Sequence, residues 1–158
     1  METKFNFNSQ ICTTREQSER LLALGLKKET ADMGWGNILF GGRKREWIEV
    51  AFPMEEHSER SLPAWSLARL VDMMPTMIER HNQIWELSIN GDGVIYFRKD
   101  TTALIEAIAN NVYDNMVSCI EWLIKEGYFN KEYLVDQEAI EEHCKGVMEY
   151  LDYIRGED

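Results

Sequence analysis

Cysteine and histidine are scarce in this chain of 158 residues, which contains three of each. The cysteines are Cys12, Cys119 and Cys144, and no two of them have the C-x-x-C spacing. An odd number of cysteines at such spacings indicates neither a disulfide framework nor a zinc knuckle. Free thiols are typical of a reducing compartment, so we expect a cytoplasmic protein.

Long apolar runs are missing as well. The longest are only a few residues, such as Ile38-Leu39-Phe40, whereas a helix needs about 20 to span a bilayer. Residues 1–8 lack the basic start and apolar run of a secretory signal. We therefore expect neither a membrane span nor export by that route. Hydrophobic residues still make up 44% of the chain, which favours one packed domain over residues 1–158.

Positive charge is in deficit, with 17 Lys and Arg against 28 Asp and Glu and a net charge of −11. Residues 101–158 hold 4 basic and 13 acidic side chains, so most of the negative charge lies in the last third. Nucleic-acid affinity comes largely from clustered Lys and Arg, so we expect no nucleic-acid partner. An acidic face favours a basic protein partner, and the open alternative is a solvated surface that keeps the protein soluble.

Turn residues between short apolar runs predict two β-hairpins. The first turns at about 41–45, and its second strand covers 47–52. The second is centred on Asn90-Gly91-Asp92-Gly93, because Asn and Gly accept the positive φ angles of a tight turn. Its residues Trp85, Leu87 and Ile89 share one face of the strand, which we expect to point at the helices. Residues 102–110 suit a helix by composition and a strand by position, and both alternatives stay open.

Caps and apolar spacing predict about four helices. They cover residues 14–24, the segment between Pro63 in its first turn and Pro75 at its end, residues 112–127, and about 136–154. Apolar residues of the last helix recur at spacings of 4 and 3, which is typical of a helix that packs along another helix. A homodimer through this acidic helix is therefore one hypothesis. The predicted fold is α+β, with a small antiparallel sheet of two hairpins packed against about four helices.

Several segments of the chain resemble a known group of sequences. These segments are Ile11–Ser18, Leu24–Leu26, Thr30–Met33, Pro63–Pro75 and Cys119–Gly127. They resemble a diffuse set of small uncharacterised proteins from gut Bacteroidetes, their phages and their conjugative elements. The resemblance implies an origin on mobile DNA. The set has no established activity, so the resemblance implies no catalytic residue and no cofactor.

The residues that usually carry chemistry do not form a recognisable motif. His57 lies among acidic residues of a charged segment, and His81 precedes the second hairpin as a turn residue. His143 and Cys144 are adjacent, and successive helical residues point about 100° apart, so they cannot close on one ion. The chain also lacks a G-x-S-x-G elbow. We predict no catalytic residue, no metal ligand and no cofactor, and a non-enzymatic function is favoured.

The main functional hypothesis is an accessory or interaction protein of a phage or mobile element, which binds a partner protein through an acidic surface. Its candidate contacts are Trp35 in a glycine-flanked turn, the basic residues Arg43, Lys44 and Arg45, and the acidic residues Glu138, Glu141, Glu142, Glu149 and Asp152. The alternative is a small-molecule or nucleotide-binding module, with hydrolysis as one of its potential activities. Its pocket would lie between sheet and helices near Trp35, Trp85 and His81.

Overall fold

The computed structural model describes residues 9–41, 46–54, 61–90, 93–98, 103–108, 111–136 and 149. The elements in these ranges follow one another as α1 (Arg15–Ala23), β1 (Met33–Phe40), β2 (Glu46–Pro53), β3 (Leu62–Ala64), α2 (Leu67–Met73), β4 (Met77–Arg80), β5 (Gln83–Asn90), β6 (Gly93–Phe97), β7 (Ala103–Ala107) and α3 (Val112–Glu126). Short 3₁₀ turns cover Lys28–Thr30 and Lys131–Tyr133. The α+β class predicted from sequence is therefore confirmed.

Helix α1 begins where its capping residues predict. The Thr14 hydroxyl accepts from the Gln17 amide at 3.2 Å, and the Gln17 side chain accepts from the Thr14 amide at 2.9 Å. This reciprocal pair satisfies two of the backbone donors that a helix N-terminus leaves open. Gly25, with φ of 101°, follows the helix and turns the chain away. The predicted helix over residues 14–24 is confirmed.

Helix α3 is also confirmed, and it carries a large share of the core. Asn111 caps it by accepting from the amides of Tyr113 and Asp114, and Gly127 ends it in the left-handed conformation with φ of 78°. The face of α3 that carries Ile120 and Leu123 is fully buried. This helix packs on β6 and β7 and contacts α1, which in turn packs on β3.

The start of the second helix differs from the prediction. Pro63 lies in strand β3 opposite Gly34, and α2 begins at Leu67 with Ser66 as its cap. An edge strand tolerates proline because one side of the strand donates no hydrogen bond to the sheet. Val71, predicted on the apolar stripe, is 37% exposed, so the buried side of this helix is narrower than the spacing indicated. Pro75 follows the helix end as predicted.

The first sheet has three antiparallel strands in the order β2-β1-β3. Strands β1 and β2 form the first predicted hairpin, from Met33 opposite Pro53 to Phe40 opposite Glu46. Trp35 lies inside β1, opposite Ala51, and not in the turn that its flanking glycines suggested. The prediction was wrong because the two glycines beside Trp35 belong to a strand. Strand β1 pairs with β2 on one side and with β3 on the other.

The second sheet is an antiparallel meander in the order β4-β5-β6-β7. The hairpin of β5 and β6 is confirmed, and the ambiguous residues 102–110 contain strand β7. Strand β4 was not predicted. It joins β5 through His81 and Asn82, whose φ angles of 53° and 59° are those of a type I′ turn. The two predicted hairpins thus belong to two sheets and not to one.

One buried cluster connects the helices with the inner face of the second sheet. Trp85 belongs to this cluster, and Leu87 and Ile89 pack against it, so the predicted shared face of β5 is confirmed. The other large members include Leu21 of α1, Leu70 of α2, Trp65, Val94, Tyr96, Met116, Ile120 and Leu123. Surface residues lie on the opposite, outer face of the second sheet.

The predicted fourth helix, at about 136–154, lies outside the described residues except for Asp136 and Glu149, which are both exposed. Glu149 lies in an α-helix, as predicted, and the rest of this helix and its role in a homodimer stay predictions.

Candidate functional site

Most of the predicted partner contacts lie outside the described residues. The described ranges do not include Arg43, Lys44, Arg45, Glu138, Glu141, Glu142 and Asp152, whereas they include Trp35 and Glu149. Trp35 is half-buried, and its indole N–H donates to the Thr13 carbonyl at 2.8 Å. This indole therefore bonds within the protein. The predicted contacts of the remaining residues stay predictions.

The residues of the alternative pocket are divided between the two sheets. Trp35 lies on β1, whereas His81 and Trp85 lie on the β4–β5 hairpin. His81 is an exposed turn residue. Trp85 is only 7% exposed, and the Arg98 guanidinium lies 5.1 Å from its ring centroid. That arrangement is typical of a cation–π contact and fills the space over the ring.

A groove of about 430 Å³ lies elsewhere, between the ends of α1 and α3 and the segment that follows α3. Its lining is mainly apolar and consists of Leu24, Ile124, Gly127, Phe129, Leu134 and Val135, with Lys131 and Asp136 as charged members. The segment is held by a β-bridge between Leu26 and Leu134. None of the residues predicted for the alternative pocket lines this groove.

A buried polar network joins the first sheet to α1 and α2. The Thr13 hydroxyl lies 2.7 Å from the Ser18 hydroxyl and accepts from the Trp65 amide at 3.0 Å. The Asp32 carboxylate accepts from the Ser66 amide at 2.9 Å and from the Ser66 hydroxyl at 2.5 Å. Because the Ser66 hydroxyl also caps α2, this serine is a structural residue. The network therefore ties the first sheet to α1 and α2 and stabilises the fold.

The two cysteines in the described part of the chain are buried thiols. Burial, with the nearby Asp32 carboxylate as a second cause, raises the pKa of the Cys12 thiol to about 11. Burial alone raises the pKa of Cys119 to about 12. The thiolate is the reactive form of cysteine, so both side chains are protonated and inert near neutral pH. Neither thiol supports nucleophilic catalysis.

In the described ranges, no group of three or more His, Cys, Asp or Glu side chains is arranged to hold a metal ion. Within the same ranges, no helix combines the length and the apolar character that crossing a bilayer requires.

The outer face of the β4–β5 hairpin presents an unusual surface. Met77 is 58% exposed and lies opposite Glu86, and Ile84 is 60% exposed and lies opposite Glu79. Two large apolar side chains and two carboxylates thus alternate across the pair of strands. We call the four residues Met77, Glu79, Ile84 and Glu86 the β4–β5 outer face. Phe97 of β6, opposite Glu86, extends its apolar part and is half-buried.

The residues that the structure describes do not neutralise the charge of this face. Glu79 and Glu86 form no ion pair with any residue that the structure describes. The nearest arginine in sequence, Arg80, lies on the other face of β4, where it is 3.6 Å from Glu126. Other arginines are paired on α1, where Arg15 binds Glu49 at 2.5 Å. The β4–β5 outer face is therefore both apolar and negative.

Comparison of the chain with protein-family models, with curated proteins and with solved structures found no match.

The β4–β5 outer face was missed at the sequence level because β4 was missed. Its signal was the two-residue step His81-Asn82 between two short runs that contain apolar residues, since Asn readily adopts the left-handed conformation. The short strand of four residues after Pro75 gave too little periodicity to be distinguished from a loop.

Proposed function

We propose that this protein is a non-enzymatic binding module that recognises a basic segment of a partner protein through the β4–β5 outer face. The observation that carries this proposal is the pairing of strongly exposed Met77 and Ile84 with the carboxylates of Glu86 and Glu79. Adjacent exposed apolar side chains that are rimmed by polar groups mark interaction sites, because they expose apolar area to water.

The chemistry of the face defines the partner. Lys and Arg carry long apolar stems beneath a cationic head, so one such side chain can contact Met77 or Ile84 with its stem and a carboxylate with its head. Complementary charge would also accelerate association with a basic surface, in a chain of net charge −11. The partner segment is therefore expected to be basic and not purely hydrophobic.

The acidic C-terminal residues predicted as contacts would add to the same electrostatic field. The origin on a phage or mobile element, implied by the sequence resemblance, is compatible with an accessory protein of this kind and stays a prediction. Inert thiols and a structural role for Ser66 support a function without catalysis.

The test uses a defined probe, a capped peptide of three Lys-Val repeats, and a capped peptide of three Glu-Val repeats as its charge-reversed control. Binding is followed by ¹H–¹⁵N NMR titration of the full chain at low and at moderate salt. We expect the basic peptide to shift the amide signals of β4 and β5, with weaker affinity at higher salt. The acidic peptide is expected not to bind.

The matched variants carry two glutamate-to-glutamine changes each. Glu79→Gln with Glu86→Gln removes both charges of the face, and each exposed ion pair contributes about 0.2–1 kcal/mol. Their loss should weaken peptide binding roughly fivefold. Glu16→Gln with Glu132→Gln changes the net charge equally at exposed positions elsewhere and should leave the affinity within about twofold of the parent. Equal loss in both variants, or in neither, would refute the proposed surface.

A further inference from the structure

We infer that the partner segment binds as an added β-strand along the free edge of β4, a mode of recognition that rests on the proposed function. Strand β4 is the edge of its sheet, and no described strand pairs with its other side. An edge strand presents backbone donors and acceptors to which an extended segment can pair.

The register of the hairpin determines which backbone groups are free. In a hairpin with a two-residue turn, the flanking residues Arg80 and Gln83 exchange both backbone hydrogen bonds. Hydrogen-bonded pairs then recur at every second residue, so the next is Ile78 with Trp85. The Leu87 amide donates to the Thr76 carbonyl at 2.9 Å, as this alternation requires.

The residues between these pairs point their backbone groups away from β5. They are Met77 and Glu79, whose N–H and C=O groups therefore face the free edge. The same two residues carry their side chains on the outer face, where they are exposed. The free backbone groups and the acidic, apolar side chains thus belong to the same residues.

Because the free backbone groups and the exposed side chains belong to the same two residues, the order of basic and apolar residues in the added strand can be derived. Partner residues directly opposite Met77 and Glu79 lie two apart and point their side chains to the outer face. Basic residues at these positions reach the carboxylates of Glu79 and Glu86. The residue between them lies opposite Ile78, which is buried, and points to the inner side of the sheet, so we expect it to be apolar. The expected segment alternates basic and apolar residues.

The free edge is short, which limits what can bind. Pro75 has no backbone N–H, and its carbonyl accepts from the Tyr96 hydroxyl at 2.7 Å. At the other end the strand enters the turn at His81. A second copy of the chain would bring another acidic edge to this one, so a basic segment is favoured over self-association.

The experiment compares two isomers of the Lys-Val peptide that are N-methylated either on all lysines or on all valines. Each methyl group removes one backbone donor. In an antiparallel added strand the lysines opposite Met77 and Glu79 point their own amides at β4, so the strand loses its hydrogen bonds only when the lysines are methylated. We expect the lysine-methylated peptide to bind about tenfold more weakly than the valine-methylated one.

A second test changes the backbone of β4 in the protein instead of the backbone of the peptide. Met77→Pro removes an N–H that faces the free edge and leaves the bonds to β5 in place, whereas Met77→Ala shortens the side chain and keeps the N–H. We expect Met77→Pro to weaken binding of the unmethylated peptide about tenfold relative to Met77→Ala. Protected amides at Trp85 and Leu87 in hydrogen exchange would show that the hairpin is intact.

The outcomes separate this inference from the proposed function. Equal affinity for the two methylated peptides, with loss of binding in the variant that carries Glu79→Gln and Glu86→Gln, would refute the added strand and leave the binding surface standing. No binding of the unmethylated peptide would refute both. Selective loss on lysine methylation together with loss in Met77→Pro supports the added strand.

Discussion

Replacing Tyr96 by Phe tests how the second sheet is tied to the segment that precedes the binding edge. Tyr96 is 0% exposed, and its hydroxyl donates to the Pro75 carbonyl at 2.7 Å. Pro75 stands two residues before β4, so this bond holds the start of the edge strand against β6. The change removes one oxygen atom and keeps the aromatic ring, so the apolar area buried by the ring is nearly unchanged.

The cost follows from the hydrogen bond alone. A neutral hydrogen bond contributes about 0.5–1.5 kcal/mol, and a buried carbonyl left without a donor costs about 1–3 kcal/mol. Pro75 is half-buried, so water can partly replace the hydroxyl and the lower part of that range applies. We expect Tyr96→Phe to lower the free energy of unfolding by about 1–2 kcal/mol, or Tm by roughly 2–8 °C for a chain of this size.

The assay is urea unfolding followed by tryptophan fluorescence and by circular dichroism. Tyr128→Phe is the matched control, because the Tyr128 ring is half-buried beside Trp122 and its hydroxyl makes no hydrogen bond to the described residues. The control should change stability by less than about 0.5 kcal/mol. If Tyr96→Phe costs no more than the control, the bond to Pro75 does not stabilise the fold and the reasoning is wrong.

The pH dependence gives a second check. Burial raises the pKa of Tyr96 above its ordinary value, with Cys119 as a smaller cause. The pKa of Tyr96 is higher in the folded state than its value of about 10 in the unfolded state. The protonated hydroxyl therefore contributes its full stabilisation below about pH 10, and this contribution is lost as the pH rises further. The stability difference between the parent and Tyr96→Phe should thus be constant from about pH 6 to 9 and shrink above about pH 10.

Three further predictions concern single positions. Gly93→Ala should destabilise the protein by more than about 1 kcal/mol in urea unfolding, because an added Cβ would lie 2.7 Å from the Ala107 carbonyl oxygen. A neutral effect would show that β6 and β7 can separate locally. Cys119 should resist iodoacetamide at pH 8 until the chain unfolds, as followed by peptide mass mapping, and rapid labelling of the folded protein would contradict its burial. Hydrogen bonding from Arg20 lowers the pKa of Glu121, so Glu121→Gln should reduce the free energy of unfolding near pH 7. In an acid titration, the stability difference between the parent and this variant should vanish as pH falls below that lowered pKa. A difference that persists at pH 2 would not come from the carboxylate charge.

The parts of the fold that were predicted correctly depend on short-range chemistry. Thr14 and Gln17 begin α1, Asn111 and Gly127 bound α3, and each acts on backbone groups within four residues of itself. The pairing of Asn90 with Gly93 in the hairpin of β5 and β6 has the same local origin. Such signals are complete within a few residues of sequence, so they can be interpreted without the rest of the chain.

The predictions that were wrong involve partners far away in sequence. Pro63 was placed in a helix because proline suits a first helical turn, but pairing with Gly34 makes it part of a strand. Trp35 was placed in a turn because of its neighbouring glycines, yet it pairs with Ala51 inside a sheet. In both cases the pairing energy comes from a strand outside the local window.

By itself, the sequence determined the α+β class, the two capped helices, both hairpins and the excess of negative charge, because propensity, capping and composition are local or additive properties. Only the tertiary structure decided that the hairpins belong to two sheets, that β7 is a strand, and that Met77, Glu79, Ile84 and Glu86 lie on one exposed face. The physical reason is that strand neighbours and exposed faces depend on which distant segments bury their apolar sides together. A binding surface is what such packing leaves uncovered, so it is decided by the whole fold.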